Sequence, residues 1–192
     1  MEQKNSKFEK YSDDELKLLL AIGMHDDSVK AQTSFLHFVR MVWPDFIGGY
    51  HSKIMAEKFE QIANGTLKRL IINMPPRHGK SEFSSFLFPA WLMGKKPKTK
   101  IIQATHTAEL SYRFGRKMRN LMNDEQYRKI FKGVNLRADS KASGRWDTNH
   151  GGEYFGAGTG GAITGRGADL LIIDDPHSEQ NITDSAFENA FD

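Results

Sequence analysis

Apolar residues recur at helical spacing along the first third of the chain. Ser12 and Glu15 form a capping-box pattern ahead of the apolar run 16–22, which predicts a helix that begins at residue 13. Gly65 follows another amphipathic stretch and is typical of a residue that ends a helix. The helices predicted from these patterns cover residues 13–24, about 29–41 and 51–63.

Short apolar runs alternate with helical patterns along the rest of the chain. The runs typical of buried strands are 69–73, 100–104 and 169–173. The predicted helices are 80–93 with a kink at Pro89, 107–122, and a last helix from about Thr183. Glycine-rich residues 142–166 predict short hairpins at 152–156 and 158–164, and Pro176 predicts a turn. This order indicates an α/β fold, with a mainly parallel central sheet flanked by helices and an amino-terminal helical extension.

The strand predicted at 69–73 runs directly into a loop that ends in Gly79, Lys80 and Ser81. This ending is that of a phosphate-binding loop, although Met74 stands where the first glycine of the usual pattern is expected. Lys80 can reach the β- and γ-phosphates, the Ser81 hydroxyl can ligate Mg²⁺, and backbone N–H groups can hold phosphate oxygens. The residues that we assign to phosphate binding are Pro76, Arg77, His78, Gly79, Lys80, Ser81 and Glu82.

A second motif follows the apolar run 170–173, which ends in Asp174 and Asp175. In P-loop NTPases a strand of this kind directs an Asp towards Mg²⁺, so Asp174 is assigned to the metal. Asp175 is assigned to the attacking water. The alternative is that both acids cap a following helix. Together the two motifs predict a P-loop NTPase domain (RecA-like, ASCE) whose nucleotide lies at the carboxyl ends of the strands.

Composition and charge limit the kinds of site, the cellular location and the binding partners that we expect for this protein. The 192 residues include no cysteine, which excludes disulfides and thiolate metal sites. No signal-like segment and no run of 18 apolar residues is present, so a cytoplasmic location is expected rather than secretion or a membrane. Residues 68–145 carry 18 basic and 5 acidic side chains. This imbalance fits binding to a polyanion, and it fits solvated helix faces equally well.

Residues 74–82 (MPPRHGKSE) and 164–176 (TGRGADLLIIDDP) resemble the large terminase subunit of tailed bacteriophages. The resemblance implies an ATP- and Mg²⁺-dependent motor that drives duplex DNA into a procapsid in the host cytoplasm. It further implies a ring of identical subunits, with the portal or procapsid and the small terminase subunit as partners. The corresponding division is a helical segment at 1–66 and an ATPase core at 67–192. The nuclease domain of the family cannot be identified in this chain.

The resemblance also suggests roles for individual residues. Arg77, within the loop, is expected to sense the γ-phosphate. Arg166 is the preferred arginine finger, acting in the same subunit or on a neighbouring one, because flanking glycines allow its backbone to project. Tyr50 and His51 match the segment that holds adenine, although a Gln is often described where His51 stands. Weaker finger candidates are Arg113, Arg116 and Arg119, which share one predicted helix.

Two other functions remain compatible with the motifs. A helicase-like ATPase would use the same core, but a full helicase needs a second similar domain, which 192 residues cannot supply. A docking module would bind nucleotide without turnover and present its amino-terminal helices to partners. Lys80→Ala separates these hypotheses, since a docking module would keep its affinity for partners and a motor would lose its ATP-dependent behaviour.

Overall fold

The computed structural model describes residues 11–139, 142–161, 163 and 165–177. Six α-helices lie in this part of the chain, together with a π-helical segment at Glu82–Leu87. The α-helices are α1 (Asp13–Thr33), α2 (Phe35–Val42), α3 (Tyr50–Asn64), α4 (Phe88–Lys95), α5 (Ala108–Asn123) and α6 (Glu125–Ile130). None of the helices within the described ranges is both long and apolar enough to span a bilayer. The helix predicted from Thr183 lies outside the described residues.

The sequence pattern predicted that the first two helices divide near residue 25. In the structure they divide at Ser34. The Ser12 capping box is present as predicted, with Ser12 and Glu15 bonded reciprocally. Helix α1 then continues to Thr33, because the polar stretch around Asp26 contains no residue that breaks a helix. Ser34 has an extended backbone (φ −109°), and its side chain accepts a hydrogen bond from His37 N–H at the start of α2. The boundary is therefore set by a cap.

The sheet has four strands in the order β2-β3-β1-β4. Their bounds are β1 (Lys100–Thr105), β2 (Arg145–Asp147), β3 (Glu153–Gly158) and β4 (Leu170–Ile173). Strand β1 pairs in parallel with β3 and with β4, and only β2 is antiparallel. The mainly parallel α/β architecture is confirmed. The hairpin predicted at 152–156 is wrong, because residues 153–156 belong to a single six-residue strand, β3. The hairpin predicted at 158–164 includes residues 162 and 164, which lie outside the described residues.

The strand predicted at 69–73 is not part of the sheet in the described residues. Residues 70–74 nevertheless alternate between half-buried and exposed side chains, the period of a strand. Leu70 and Met74 pack against the core, whereas Ile71 is 86% exposed. A strand requires a neighbouring backbone to satisfy its N–H and C=O groups, and no described segment pairs with this one. The apolar pattern predicted the alternating burial of these side chains correctly but not the pairing.

The helix predicted at 80–93 is irregular before Pro89 rather than kinked at it. Residues 82–87 form a π-helical segment in which Phe88 N–H donates to Phe83 C=O, five residues earlier. Pro89 has no N–H to donate, and it lies in the first turn of α4, where the missing donor costs least. The wider turns of a π-helix turn Ser85 inward, where it is fully buried.

One hydrophobic core joins the amino-terminal helices to the helix that follows the loop. The ring of Phe35 in α2 lies 5.4 Å from that of Phe59, 5.6 Å from that of Phe83 and 5.5 Å from that of Trp91, measured between centroids. Phe59 also stacks on Phe88 at 4.5 Å. Residues from α2 and α3 therefore support the π-helical segment and α4, and through them the loop at residues 74–81.

Candidate active site

The two sequence motifs meet at the carboxyl end of the parallel sheet. Lys80 Nζ lies 2.7 Å from Asp175 Oδ1 and 3.7 Å from Asp174 Oδ1. These residues are more than 90 positions apart in the chain. Strand β4 ends at Ile173, and its pairing with β1 continues to Asp174, whose N–H donates to Ala104 C=O at 3.0 Å. The sheet therefore presents both carboxylates to the loop lysine.

Lys80 is held in this position by charge. Its side chain is about a quarter exposed (26%). The hydrogen bond that Lys80 donates to Asp175 raises the pKa of Lys80 above its ordinary value, against the opposing effect of partial burial. The ammonium group therefore stays protonated at neutral pH. A protonated lysine that is partly exposed is a suitable ligand for phosphate oxygens.

Asp174 is the buried acid of the pair, at 5% exposure, and Asp175 is the exposed one, with a side chain 60% exposed. Ser85 Oγ donates a 2.8 Å hydrogen bond to Asp174 Oδ2. Ser85 belongs to neither of the two sequence motifs. Its position four residues after Ser81, one helical turn along the same face, is the signal that could have identified it. Ser85 fixes the orientation of the carboxylate beside the loop.

A cavity of about 1010 Å³ opens over these groups. Its lining consists of Met74, Pro75, Pro76, Arg77, Gly79, Lys80, Ser81, Glu82, His106, Asp175, Pro176 and His177. Arg77 (φ 65°) and Asp175 (φ 45°) are the only non-glycine residues with positive φ in the described part of the chain. Unusual backbone conformations of this kind concentrate at functional sites, and both lie on the wall of this cavity.

Glu82 lies on the cavity wall, but its carboxylate already has a strong partner. Lys117 Nζ of α5 donates to Glu82 Oε1 at 2.6 Å and to Oε2 at 2.7 Å. The same ammonium lies 4.9 Å from the centroid of the Phe86 ring. Glu82 therefore connects the helix after the loop to α5. Lys117 was not among the residues singled out from the sequence, because nothing local relates it to the loop.

The segment assigned to the adenine side lies against the loop. The rings of His51 and His78 are 5.9 Å apart and perpendicular, and His78 Nδ1 is 2.9 Å from Pro76 C=O. Tyr50, the first residue of α3, is 79% exposed. The structure therefore places His51 next to the loop and leaves the Tyr50 ring free of core packing.

Arg166 lies at the opposite end of the sheet from Lys80. Its guanidinium contacts Glu153 Oε1 at 3.3 Å and covers the ring of Phe155 at 3.9 Å from the centroid. Glu153 begins β3 and pairs with Lys100, the first residue of β1. Because the strands are parallel, their first residues lie at the edge remote from the loop. Arg166 is therefore not positioned to reach the loop at residues 74–81 of its own chain.

The oxygen donors near the loop are few. No group of three or more His, Asp or Glu side chains with metal-ligand geometry occurs in the parts of the chain that the structure describes. Ser81 and the two Asp residues after β4 provide hard oxygen donors, which suit Mg²⁺, since that ion keeps several water ligands and binds one or two carboxylates. The donor set therefore fits Mg²⁺ held jointly with a phosphate ligand rather than a metal bound by protein alone.

Comparison with known proteins identifies the family of this chain. The family described as terminase large subunit, T4likevirus-type, N-terminal, matches residues 71–189, more than half of the chain. This match includes the loop residues Gly79–Ser81, helix α5 and the two carboxylates after β4. Neither the curated proteins nor the solved structures gave a match. The chain therefore belongs to the terminase large-subunit family, and its matched region corresponds to the amino-terminal part of the T4-like members.

Proposed function

We propose that this chain binds ATP with Mg²⁺ in a P-loop NTPase domain and hydrolyses the ATP to drive duplex DNA into a procapsid. Membership of the terminase large-subunit family implies a role in DNA packaging. The observation that carries the proposal is the contact of Lys80 with Asp174 and Asp175 beside a cavity of about 1010 Å³, which Lys80 and Asp175 line. That volume is at the upper end of the range usual for small-molecule sites, about 300–1,000 Å³, and the lining includes cationic groups that can bind phosphate.

The loop would hold the phosphates of ATP through backbone and side chain together. The first N–H groups of a helix have no acceptor within the helix, and Gly79, Lys80 and Ser81, where the helical segment begins, line the cavity. Lys80 can exchange its Asp175 partner for β- and γ-phosphate oxygens, because both side chains are partly exposed. Pro76 and His78 shape the loop through their own contact.

The buried carboxylate of Asp174 and the hydroxyl of Ser81 would hold Mg²⁺. When bound, Mg²⁺ would supply positive charge that stabilises the negative charge developing on phosphoryl transfer. Ser85 keeps Asp174 oriented, since its Oγ bonds one carboxylate oxygen at 2.8 Å and leaves the other facing Lys80. The site is therefore preorganised from the protein side, which lowers the cost of reorganisation during the reaction.

Asp175 would orient the attacking water. Its main-chain oxygen accepts a hydrogen bond from His106 N–H at 3.1 Å, which fixes the backbone while the carboxylate remains exposed. Once Lys80 binds phosphate, the Asp175 carboxylate is free to accept a proton from water in the cavity. Since Asp is one methylene shorter than Glu, this role requires the water to lie close to β4.

The remaining proposed roles concern the rim of the site and the assembly. Arg77 would contact the γ-phosphate from within the loop, and Tyr50 with His51 would contact the adenine. Arg166 lies at the far end of its own sheet, which favours action as an arginine finger on a neighbouring subunit of a ring. The portal or procapsid and the small terminase subunit are the further partners expected of the family, in the host cytoplasm.

Steady-state ATP hydrolysis, measured across protein concentrations with and without duplex DNA, tests the proposal. The variants are Lys80→Ala and Asp175→Asn. The matched control is Lys53→Ala, which removes an exposed lysine on α3. We expect turnover that rises faster than linearly with protein concentration, falls by at least about a hundredfold in both variants and is unchanged in the control.

Two results would contradict the proposal in different ways. Turnover that survives Lys80→Ala would mean that hydrolysis occurs elsewhere or comes from a contaminant. Binding of a fluorescent ATP analogue without turnover at any protein concentration would favour the docking module.

A mixture of the Arg166→Ala and Asp175→Asn chains tests whether Arg166 acts within its own subunit or on a neighbouring one. Activity returns in the mixture only if Arg166 acts between subunits.

A further inference from the structure

Helix α5 packs with one face on the sheet, and this packing determines which residues point outward. Phe114, Met118 and Met122 are buried against the sheet side. Gly156 of β3 allows close approach, since a Cβ there would lie 2.9 Å from Ser111 Oγ of α5. The rotation of α5 about its axis is therefore set by close contacts.

The outward face of α5 is strongly basic. Arg113 and Arg116, three residues apart, are both exposed, and neither has an ion-pair partner among the described residues. Arg119 lies one further step along, with its guanidinium 3.5 Å from Ala142 C=O. Glu109 precedes Arg113 by one turn without forming an ion pair within 4 Å. Like charges at this spacing destabilise a helix by a few tenths of a kcal/mol, so folding does not explain them.

The same helix is connected to the candidate active site at two points. Thr107 caps its amino end, directly after His106, whose N–H bonds Asp175 C=O at 3.1 Å. In the middle of the helix, Lys117 Nζ donates hydrogen bonds to both carboxylate oxygens of Glu82. With a rise of 1.5 Å per residue, Arg113 lies roughly 9 Å along the helix axis from Thr107. A shift of the loop would therefore move this basic face.

We infer that the outward face of α5, through Arg113 and Arg116, binds the phosphate backbone of duplex DNA. The inference rests on the proposed packaging function and assigns its DNA contact. Guanidinium groups bind phosphate through paired N–H donors, which suits arginine rather than lysine at these positions. Such contacts carry no base information and would act on any sequence, as translocation along a genome requires.

Fluorescence anisotropy with a labelled 25-base-pair duplex, measured without nucleotide over a series of salt concentrations, tests this assignment. Arg113→Gln/Arg116→Gln should reduce the slope of log K against log[salt] by about 1.8, because each phosphate contact contributes about 0.9. Arg113→Lys/Arg116→Lys should retain most of the slope, since the charge is kept. The matched control, Lys53→Gln/Lys58→Gln on α3, removes the same charge and should leave the slope unchanged.

Three results would overturn the assignment. The slope of log K against log[salt] could be unchanged in Arg113→Gln/Arg116→Gln. It could fall equally in the α3 control, which would mean that net charge alone matters. Polyglutamate could displace the wild-type chain as effectively as unlabelled duplex, which would point to an acidic protein surface. Binding of an ATP analogue, measured separately, distinguishes failure of this DNA assignment from failure of the proposed function. If the wild-type chain binds no ATP analogue, the proposed function fails, but the salt-dependence result for DNA still holds.

Discussion

Ser85→Ala removes the hydroxyl that holds the buried Asp174 carboxylate, and we expect it to lower the free energy of unfolding by about 2 kcal/mol. Ser85 is fully buried, Asp174 is 5% exposed, and the two oxygens are 2.8 Å apart. A hydrogen bond to a charged group contributes about 1.5–3 kcal/mol, and a carboxylate this deeply buried cannot regain the lost bond from bulk water. In a domain of this size, 2 kcal/mol lowers Tm by about 4–8 °C.

Urea unfolding followed by tryptophan fluorescence measures this loss, since Trp91 and Trp146 are fully buried. The matched control is Ser84→Ala, one residue earlier on the same helix. Ser84 Oγ donates to Lys80 C=O at 2.8 Å, a bond within its own helical turn. Such bonds contribute little to stability, so this variant should stay within about 0.5 kcal/mol of the wild-type chain.

The reasoning would be refuted if both serine variants lost the same stability. A second check uses Asp174→Asn, which removes the charge but keeps an acceptor oxygen. In that background Ser85→Ala should cost only about 1 kcal/mol, the contribution of a hydrogen bond between neutral groups. Additive effects of the two substitutions would show that the pair is not coupled. The apparent affinity for Mg²⁺ with ATP should fall with Ser85→Ala, if Asp174 holds the metal.

Three further predictions use other parts of the molecule. Asp175 raises the pKa of Lys80 above 10.5, so the stability that this pair contributes is present below that pH and lost above it. The difference in urea stability between the wild-type chain and Lys80→Met, less than about 1 kcal/mol because the pair is partly exposed, should therefore shrink as the pH rises past 10.5. Lys117→Met breaks the link between α5 and the loop, and should reduce stimulation of ATP hydrolysis by DNA about fivefold or more while DNA affinity is retained. Gly94→Ala brings a methyl group 2.4 Å from the Phe131 ring and should destabilise the chain by about 1–3 kcal/mol. Gly23→Ala meets no atom within 4 Å in an exposed helix, and should stabilise it by about 0.5–1 kcal/mol.

Each of these predictions has an outcome that contradicts it. A constant difference between the wild-type chain and Lys80→Met across the alkaline range would mean that the ion pair contributes no stability. Unchanged DNA stimulation in Lys117→Met would show that α5 is not coupled to the loop through this contact. Equal effects of the two glycine substitutions in thermal unfolding would mean that the Phe131 ring moves aside without cost.

Local sequence patterns predicted which residues lie at the candidate site, where two helix ends fall and what kind of sheet forms. Gly79–Ser81 and the acids after the run 170–173 identified the residues that meet at the sheet edge, because each motif depends only on neighbours in the chain. The Ser12 capping box and the Gly65 helix end were also predicted correctly, since caps act over three or four residues. The mainly parallel sheet followed from the order of the elements.

Only the tertiary structure decided how distant residues combine. Ser85 reaches Asp174 across 89 positions and Lys117 reaches Glu82 across 35, distances over which hydrophobic periodicity carries no information. Packing also placed Arg166 at the far edge of the sheet and turned the charged side of α5 outward. Whether residues 70–74 join a sheet depends on a partner strand, which apolar alternation alone cannot specify. Sequence determined which groups are present, and folding determined which of them act together, because contacts form in space rather than along the chain.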